Sequence, residues 1–266
     1  MPKRLLYLFF CLMTLSATAQ ASDMAKEKRW AEQITDSILI GQIQWLDVNK
    51  QKILSIYTAP TVPKVMGGAL ILHGSGAHPN WPDVVYPLRT RLPDYGWHTL
   101  SIQMPILANN ASYEAYAPLF PEVAPRIEAG IKFLQSKGIQ NIVIIAHSLG
   151  TTMAANYLAT HPDSPIRAFV AVGMPGQATT ITAMNNIKSL EKIKVPMLDI
   201  FGGDDLNVVR NTRAQRAKAA ARAGNPDYSQ LEVLEATHFF TDQSATLVKR
   251  VRGWLAKHAA GTEIKK

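Results

Sequence analysis

From residue 68 onward, short apolar runs alternate along the chain with amphipathic segments of helical length. This alternation is typical of parallel strands, because the crossover helices between them cover both faces of the sheet. It predicts an α/β protein with a mostly parallel central sheet and helices on both faces. The predicted strands are 68–72, 98–104, 141–145, 168–172, 195–200 and 230–235. The predicted helices are 84–92, 122–135, 150–160, 185–192, 210–223 and 244–258.

The region before this alternation has a different pattern. The apolar runs 41–49 and 51–60 are joined by too short a link for a crossover, so we expect an antiparallel hairpin at one edge of the sheet. Residues 22–40 are polar with apolar side chains at helical spacing, which predicts an N-terminal helical segment. Since 47% of the 266 residues are apolar and no linker is visible, we expect one domain at 41–260 and a short basic tail at 261–266.

The first 21 residues have the pattern of an export signal. Lys3 and Arg4 precede an apolar run, and Ala19-Gln20-Ala21 follows it. A basic start, a short apolar region and a small-residue exit are typical of a secretory signal peptide. The alternative, a buried N-terminal helix, is disfavoured because the run is apolar on all sides. We therefore expect a signal peptide at 1–21 and a periplasmic or secreted bacterial protein.

Both the formal charge of +8 and the number of cysteines, which is one, would decrease if this leader is removed. Cys11 would leave with it, and 26 of the 28 basic side chains would remain against 20 acidic ones, a charge of +6. Several of the basic residues lie in one predicted helix, where they spread around the axis instead of forming a stripe. These are Arg210, Arg213, Arg216, Lys218 and Arg222. A solvated helix is favoured over an anion-binding face, and we expect no nucleic-acid partner.

No internal apolar run approaches the roughly 20 residues that a membrane helix needs. We therefore expect no integral membrane span in the mature chain. An exported chain without cysteine must be stabilised by its core alone, and a chain of this size can bury one.

A serine lies between a predicted strand and a predicted helix. The segment Ala146-His147-Ser148-Leu149-Gly150 matches the nucleophile-elbow pattern G-x-S-x-G, with alanine in the first position. Small residues are expected on both sides because the serine backbone is strained and the turn is sharp. The N-terminus of the following helix would favour negative charge beside the serine. Taken alone, the pattern fits equally well a serine that caps a helix.

A carboxylate and a histidine follow this serine. Asp205 comes after a predicted strand and a glycine-containing turn, and His238 comes just after the last predicted strand. Asp204 is the alternative to Asp205, and a solvated turn is the non-functional interpretation. The chain order Ser148, Asp205, His238 is typical of α/β-hydrolases. It predicts Ser148 as the nucleophile, His238 as the general base and Asp205 as the group that orients His238.

A glycine-rich segment after the first parallel strand is the candidate oxyanion hole. The N–H of Ser75 or of Gly76, together with that of Leu149, would bind the negative oxygen of a transition state. Ser75 itself lies between two glycines, but Pro79 and Pro82 prevent a helix from following it. Ser75 is therefore not the predicted nucleophile.

The segment 73–105 resembles a family of uncharacterised bacterial exported α/β-hydrolase-like proteins, a domain-of-unknown-function family. Its hallmarks are present as His78-Pro79-Asn80-Trp81-Pro82, Leu88-Arg89 and Gly96-Trp97-His98-Thr99-Leu100. The resemblance extends over most of the mature chain and implies the α/β-hydrolase fold. It implies no substrate, because that family has no settled reaction.

The loops near these residues bear on how a site would be covered. The segment 176–194 is too short for the large cap domain that many hydrolases of this superfamily insert there. The segments 77–83 and 106–121 would cover the site instead, and simple packing of 106–121 on the helices is an equally good interpretation. The candidate pocket residues are His78, Trp81, Tyr113 and Tyr116.

These patterns together predict a serine hydrolase that works through an acyl-enzyme. We expect a carboxylesterase or thioesterase acting on a small to medium acyl substrate. The alternative is a non-catalytic envelope protein that uses the fold for binding or assembly, and a peptidase has no distinct support. Neither a metal-ligand spacing nor a nucleotide-binding glycine motif is present in the sequence, so we expect no metal and no cofactor.

Overall fold

The computed structural model describes residues 22–176, 178–259 and 261, so the predicted signal peptide lies outside the described residues. Eight strands in this part of the chain form one sheet. They are β1 (Gln42–Val48), β2 (Gln51–Thr58), β3 (Gly67–Leu72), β4 (Trp97–Ile102), β5 (Ile142–His147), β6 (Ile166–Val172), β7 (Met197–Asp204) and β8 (Tyr228–Thr237).

The α-helices of the described residues are α1 (Met24–Ser37), α2 (Val85–Arg91), α3 (Val123–Ser136), α4 (Leu149–Thr160), α5 (Asn186–Leu190), α6 (Asn207–Arg210), α7 (Arg213–Arg222) and α8 (Ser244–His258). Short 3₁₀ helices lie at Leu92–Tyr95, Glu114–Glu122 and Thr182–Met184. None of the helices in this part of the chain is long and apolar enough to span a bilayer.

The strand order is β1-β2-β4-β3-β5-β6-β7-β8. The β1–β2 and β2–β4 pairs are antiparallel, and the other pairs are parallel. This confirms the predicted fold class, a mostly parallel sheet with an N-terminal antiparallel hairpin and helices on both faces. The β6–β7 connection contains α5 and one short 3₁₀ helix within its described residues, so no large cap domain is inserted there.

The apolar side chains of β3 show how both faces of the sheet are covered. Leu70 and Leu72 belong to a core that includes residues of α3 and α4. Ala69 and Ile71 belong to a second core that includes residues of α2 and α8. A strand buried on both faces has a continuous apolar sequence, which is why this run predicts a parallel strand.

Helix α1 covers β2, the strand next to the edge strand β1, with a separate small core. Ala31 and Ile34 of α1 pack against Leu54 and Ile56 of β2. The helix ends at Ser37, earlier than the predicted end at residue 40.

Strand β7 is longer than predicted. It continues to Asp204 because Phe201 and Gly202 still pair with β8, and the register shifts between Gly202 and Asp204. The glycine-containing turn expected before the candidate aspartates is therefore strand.

The basic helix predicted at 210–223 is divided between α6 and α7. The prediction of a solvated helix is wrong at Arg216, whose side chain is 0% exposed. Its Nε donates to Asp199 Oδ2 at 2.7 Å, and Asp199 is equally buried on β7. A buried charge needs a partner of opposite sign. The partner of Arg216 lies on β7, so the arrangement of charges around the helix alone could not show that Arg216 is buried.

Candidate active site

Ser148 lies at the sharp turn between β5 and α4. Its backbone has φ 53° and ψ −124°, a conformation that residues other than glycine rarely adopt. The Ser148 N–H donates to the Val172 carbonyl on β6 at 3.0 Å, so the neighbouring strand holds the turn. The Ser148 side chain is partly exposed at the carboxyl end of the sheet. Backbone strain that persists at such a position is a feature of functional sites.

Gly150 allows α4 to begin directly against β3. A Cβ at Gly150 would lie 2.5 Å from the His73 carbonyl oxygen and 2.9 Å from that of Leu72. Any larger residue would therefore push α4 away from the sheet. The close contact is with the neighbouring strand, and this explains the need for glycine in the elbow pattern.

Ser148, His238 and Asp205 form one hydrogen-bonded row at the carboxyl ends of β5, β8 and β7. His238 Nε2 is 2.9 Å from Ser148 Oγ, and His238 Nδ1 is 2.6 Å from Asp205 Oδ1. In such a row the serine hydroxyl donates to the histidine, and the histidine donates to the carboxylate. The structure thus brings together the three residues that the sequence singles out.

The two candidate carboxylates occupy different environments. The Asp205 side chain is buried, and it accepts hydrogen bonds from the N–H of Leu206 at 2.7 Å and of Gly202 at 3.2 Å. Asp204 is exposed at the end of β7. Asp205 is therefore held in place by the backbone while it contacts His238.

His147, the last residue of β5, packs against His238. The ring centroids are 4.9 Å apart, and His147 Nε2 is 3.0 Å from the His238 carbonyl oxygen. Since that oxygen can only accept, Nε2 of His147 carries the proton. Burial lowers the pKa of His147 to about 4, and the neighbouring His238 acts in the same direction. A neutral His147 holds the His238 backbone without adding a second positive charge.

The turn after β3 lies against the candidate nucleophile. A Cβ at Gly74 would be 3.0 Å from the Ser148 Cβ. His73 braces this turn, because its Nδ1 donates to the Gly74 carbonyl at 2.8 Å and its Nε2 accepts from the Met104 N–H at 2.9 Å. Backbone N–H groups of the turn therefore lie near the place where an oxyanion would form.

The Tyr116 hydroxyl contacts one of the two candidate oxyanion donors in this turn, the Gly76 N–H. This hydroxyl accepts the Gly76 N–H at 3.1 Å and the Leu107 N–H at 3.3 Å. The N–H groups of Ser75 and Leu149 have no acceptor within the described residues. The geometry therefore favours the N–H groups of Ser75 and Leu149, and not that of Gly76, as the oxyanion donors. The prediction that Tyr116 lines the pocket is corrected, since its side chain is 1% exposed and holds the turn through the bond to the Gly76 N–H.

The other predicted pocket residues also make packing contacts. The His78 ring lies 5.1 Å from that of Trp30 and 5.2 Å from that of Trp81, both edge to face. The Tyr113 hydroxyl is 2.6 Å from that of Thr152 on α4. His78, Trp81 and Tyr113 are partly exposed. In the described part of the chain, no group of three or more histidine, cysteine or acidic side chains is arranged to hold a metal ion.

Gly173, at the end of β6, is a site residue that sequence reasoning missed. A Cβ at this position would lie 2.9 Å from Cε1 and Nδ1 of His238 and 3.4 Å from Asp205 Oδ2. Its φ of +64° is also one that favours glycine. The only signal in the sequence is a glycine directly after a predicted strand, which many turns share.

Replacing Gly173 by alanine should therefore displace the His238 ring. For the ester hydrolysis proposed below, we expect kcat/KM to fall about 100-fold, the typical effect of a small misplacement of a catalytic group. The far-ultraviolet circular dichroism spectrum should stay that of the wild type. Gly253→Ala is the matched control, because a Cβ there meets nothing within 4 Å on α8. Unchanged activity in Gly173→Ala would contradict the steric role.

Two buried histidines predict how stability depends on pH. Burial lowers the pKa of His73 to about 3 and that of His147 to about 4. Both would titrate near pH ~6.5 in the unfolded chain. Between pH ~6.5 and ~4 the unfolded chain binds protons that the folded chain excludes, so the free energy of unfolding falls as the pH falls. Each histidine contributes up to about 1.4 kcal/mol per pH unit in this window.

Urea unfolding at pH 7 and pH 5 tests this dependence. The free energy of unfolding should drop on acidification, and the drop should be smaller by about 1–2 kcal/mol in His147→Phe, which lacks one titrating group. His161→Gln changes a histidine that is 39% exposed and should keep the wild-type drop. Equal drops in the wild type and His147→Phe would refute the role of His147.

Solved structures with the same fold are numerous, and all those described here share little sequence with this chain. Est1E from Butyrivibrio proteoclasticus has a TM-score of 0.64 at 14% identity and covers 83% of this chain and 100% of its own. The same protein with ferulic acid bound has a TM-score of 0.65 at 14% identity and covers 82% of this chain and 100% of its own.

Two further structures are similar to the same extent. A dienelactone hydrolase from Anabaena variabilis has a TM-score of 0.65 at 18% identity and covers 82% of this chain and 98% of its own. An α/β serine hydrolase without lid from Xanthomonas campestris has a TM-score of 0.61 at 12% identity and covers 85% of this chain and 98% of its own. These likenesses show the α/β-hydrolase fold.

Sequence comparison identifies the family. No curated protein matches the chain. The model of a family described as "Protein of unknown function (DUF3530)" matches residues 5–125 and 114–257, which together span most of the sequence. The resemblance to an uncharacterised α/β-hydrolase-like family is thereby confirmed. The chain belongs to the DUF3530 family of proteins of unknown function, and its fold is that of the α/β-hydrolases.

Proposed function

We propose that this chain is an exported serine hydrolase that uses Ser148, His238 and Asp205, and that it acts as a carboxylesterase or thioesterase. The observation that carries the proposal is the unbroken row from Ser148 Oγ through the His238 ring to the buried Asp205 carboxylate. A serine that only caps a helix would need neither the histidine nor the carboxylate. The hydrolase fold of the neighbours named above is consistent with this chemistry.

The row supports acyl transfer in two steps. His238 Nε2 would take the Ser148 Oγ proton as Oγ attacks the acyl carbon, and the same proton would then pass to the departing alcohol or thiol. Water would then attack the acyl carbon while His238 Nε2 takes its proton. The bond between the acyl carbon and Oγ would break, the proton would pass from His238 to Ser148 Oγ, and the carboxylic acid would leave. Asp205 would keep the Nδ1 proton of His238 in place and stabilise the imidazolium that forms in each step.

The Ser75 and Leu149 N–H groups would stabilise the negative oxygen that forms in both steps. Leu149 is the first residue of α4, so its N–H lies at the positive end of the helix dipole. One such donor contributes about 3 kcal/mol to transition-state stabilisation in well-studied hydrolases. The Tyr116 hydroxyl would hold the turn that presents Ser75, because it bonds the next N–H along the chain.

Apolar side chains beside the row favour an apolar acyl group of modest size. Leu206 follows Asp205 and is 51% exposed, and Phe239 follows His238 and is 45% exposed. The Phe239 ring lies 5.3 Å from that of His238. A substrate that covers these side chains would remove apolar surface from water. The ferulic acid bound to Est1E is a carboxylic acid of the size that we propose for the acyl group.

We place this activity in the periplasm or outside the cell. The support is the signal-peptide pattern at 1–21 and the absence of cysteine after Cys11, which makes the mature chain indifferent to an oxidising compartment.

Labelling with a fluorophosphonate probe tests the chemistry, because such probes react with activated serines. The purified protein should be labelled, and peptide mapping should place the adduct on Ser148. Short-chain to medium-chain p-nitrophenyl esters and matching thioesters should then show which acyl length is preferred. A protein that is folded, unlabelled and inert on all of these would overturn the proposal and favour the non-catalytic binding or assembly role.

A further inference from the structure

Ser22, the residue after the predicted cleavage site, lies in a buried polar cluster. It is 5% exposed, and its backbone N–H donates to Glu122 Oε1 at 2.9 Å. Its hydroxyl donates to the Glu27 carboxylate and accepts the Ile106 N–H at 2.8 Å. The residue that would begin a mature chain is thus held by three different segments of the protein.

The charges of this cluster do not balance. Arg126 contacts both carboxylates, with one nitrogen 2.9 Å from Glu27 Oε2 and another 2.9 Å from Glu122 Oε2. The nearby Lys26 is directed elsewhere, since its Nζ donates to the Leu107 carbonyl at 2.9 Å and to the Asn109 side chain. One guanidinium therefore faces two carboxylates, and the described residues place no second cation beside them. Burial of an uncompensated charge is costly.

The direction in which the pKa of Glu27 is shifted is consistent with an uncompensated charge. Burial raises the pKa of its carboxyl above the ordinary value, although Arg126 acts in the opposite direction and Glu122 in the same one. An additional cation at Ser22 would complete the cluster with two positive and two negative charges.

We propose that this cluster is a binding site for the chain's own N-terminus, created when a signal endopeptidase hydrolyses the Ala21–Ser22 peptide bond. Water adds across the C–N bond, which leaves a carboxylate on Ala21 and an amine on Ser22 that is protonated at neutral pH. The Ser22 nitrogen then carries a full positive charge and three donors where it had one neutral N–H. The proposal rests on the export that we propose above.

The docked N-terminus would also hold a loop close to the active site. The Asp23 N–H donates to the Ile106 carbonyl at 2.8 Å, which adds to the Ser22 contacts with Ile106. The next residue, Leu107, donates to the Tyr116 hydroxyl that also binds Gly76 in the oxyanion turn. Processing of the leader would thus stabilise the segment that supports this turn.

The first experiment determines the N-terminus. The full precursor is expressed with its leader in a bacterium, and the exported protein is analysed by intact mass and N-terminal sequencing. We expect a free α-amine on Ser22. A mature chain that begins at any other residue would overturn the proposal.

The second experiment compares two forms of the mature protein, one beginning at Ser22 and one at Gln20. Both are released from a carrier fusion by a protease that leaves no extra residue. The Ser22 form should have the higher Tm, by about 3–8 °C, because a partly buried ion pair with Glu122 is made only in that form. Amide hydrogen exchange at Ile106 and Leu107 should be at least several-fold slower in the Ser22 form.

Glu122→Gln tests whether the difference comes from the ion pair. In this background the Ser22 and Gln20 forms should have nearly the same Tm, whereas Glu128→Gln, a neutralised carboxylate that is 44% exposed on α3, should keep the difference. Equal Tm values for the two wild-type forms, or a difference that survives Glu122→Gln, would overturn the proposal. Thermal unfolding needs no catalysis, so its outcome is independent of whether Ser148 is a nucleophile.

Discussion

For the ester hydrolysis that we propose, replacing Ser148 by alanine should lower kcat/KM by about 10⁴- to 10⁶-fold and abolish labelling by a fluorophosphonate. The reason is that the variant has no oxygen to attack the acyl carbon, while His238 and Asp205 stay in place. What remains would come from substrate binding and the oxyanion donors. The fold should persist, because the Ser148 side chain is partly exposed and only its hydroxyl is removed. Steady-state kinetics and mass spectrometry of the labelled protein measure both effects.

Ser75→Ala is the matched control for this variant. Ser75 is a second serine near the candidate site; it lies between Gly74 and Gly76, and its side chain is exposed. Its proposed contribution comes from the backbone N–H, which alanine retains, so labelling and kcat/KM should stay within about threefold of the wild type. If Ser148→Ala were still labelled, or if Ser75→Ala alone lost labelling, the assignment of the nucleophile would be wrong.

Asp205→Asn should lower kcat by about 10⁴-fold with little change in overall structure. An asparagine of the same shape would donate an N–H to His238 Nδ1. The ring would then adopt the tautomer in which Nε2 carries the proton. That tautomer cannot accept the Ser148 proton, and the imidazolium would lose the carboxylate that lies 2.6 Å from it. The loss should appear in the rate of ester hydrolysis and in the rate of fluorophosphonate labelling.

Asp204→Asn separates the two neighbouring carboxylates. Asp204 is exposed, so its replacement should change kcat by less than about threefold and leave the Tm unchanged within about 1 °C. The comparison holds backbone position nearly constant, because the two residues are adjacent in sequence. A large loss in Asp204→Asn with normal rates in Asp205→Asn would refute the assignment of the acid.

Much of the fold was predictable from local patterns. The strands at the centre of the sheet are continuous apolar runs, since both faces are buried, and the link at Asn49 and Lys50 is too short for a crossover. The edges were harder to predict. The length of β7 depends on pairing with β8, and the burial of Arg216 depends on Asp199, so neither could be predicted from the segment itself.

The candidate site also has features that local patterns predict and features that they do not. The elbow around Ser148 is a local feature, because a strand, a sharp turn and a helix follow each other directly in the chain. Asp205 and His238 could be located because the carboxyl ends of parallel strands share one edge of the sheet. The choice of Asp205 over Asp204, the roles of Gly173 and Tyr116, and the packing of His147 on His238 could not be read in this way. They depend on contacts between residues far apart in the chain.

The class of fold, the hairpin at its edge and the chain order of the three candidate catalytic residues could be predicted from sequence alone. Periodicity and strand ends are properties of short segments, and short segments are all that a linear pattern records. The folded structure was needed to show which N–H groups beside Ser148 lack an acceptor among the described residues, which carboxylate contacts His238, and where Ser22 is held. Those outcomes are set by distances of about 3 Å between strands and loops that the chain brings together only when it folds.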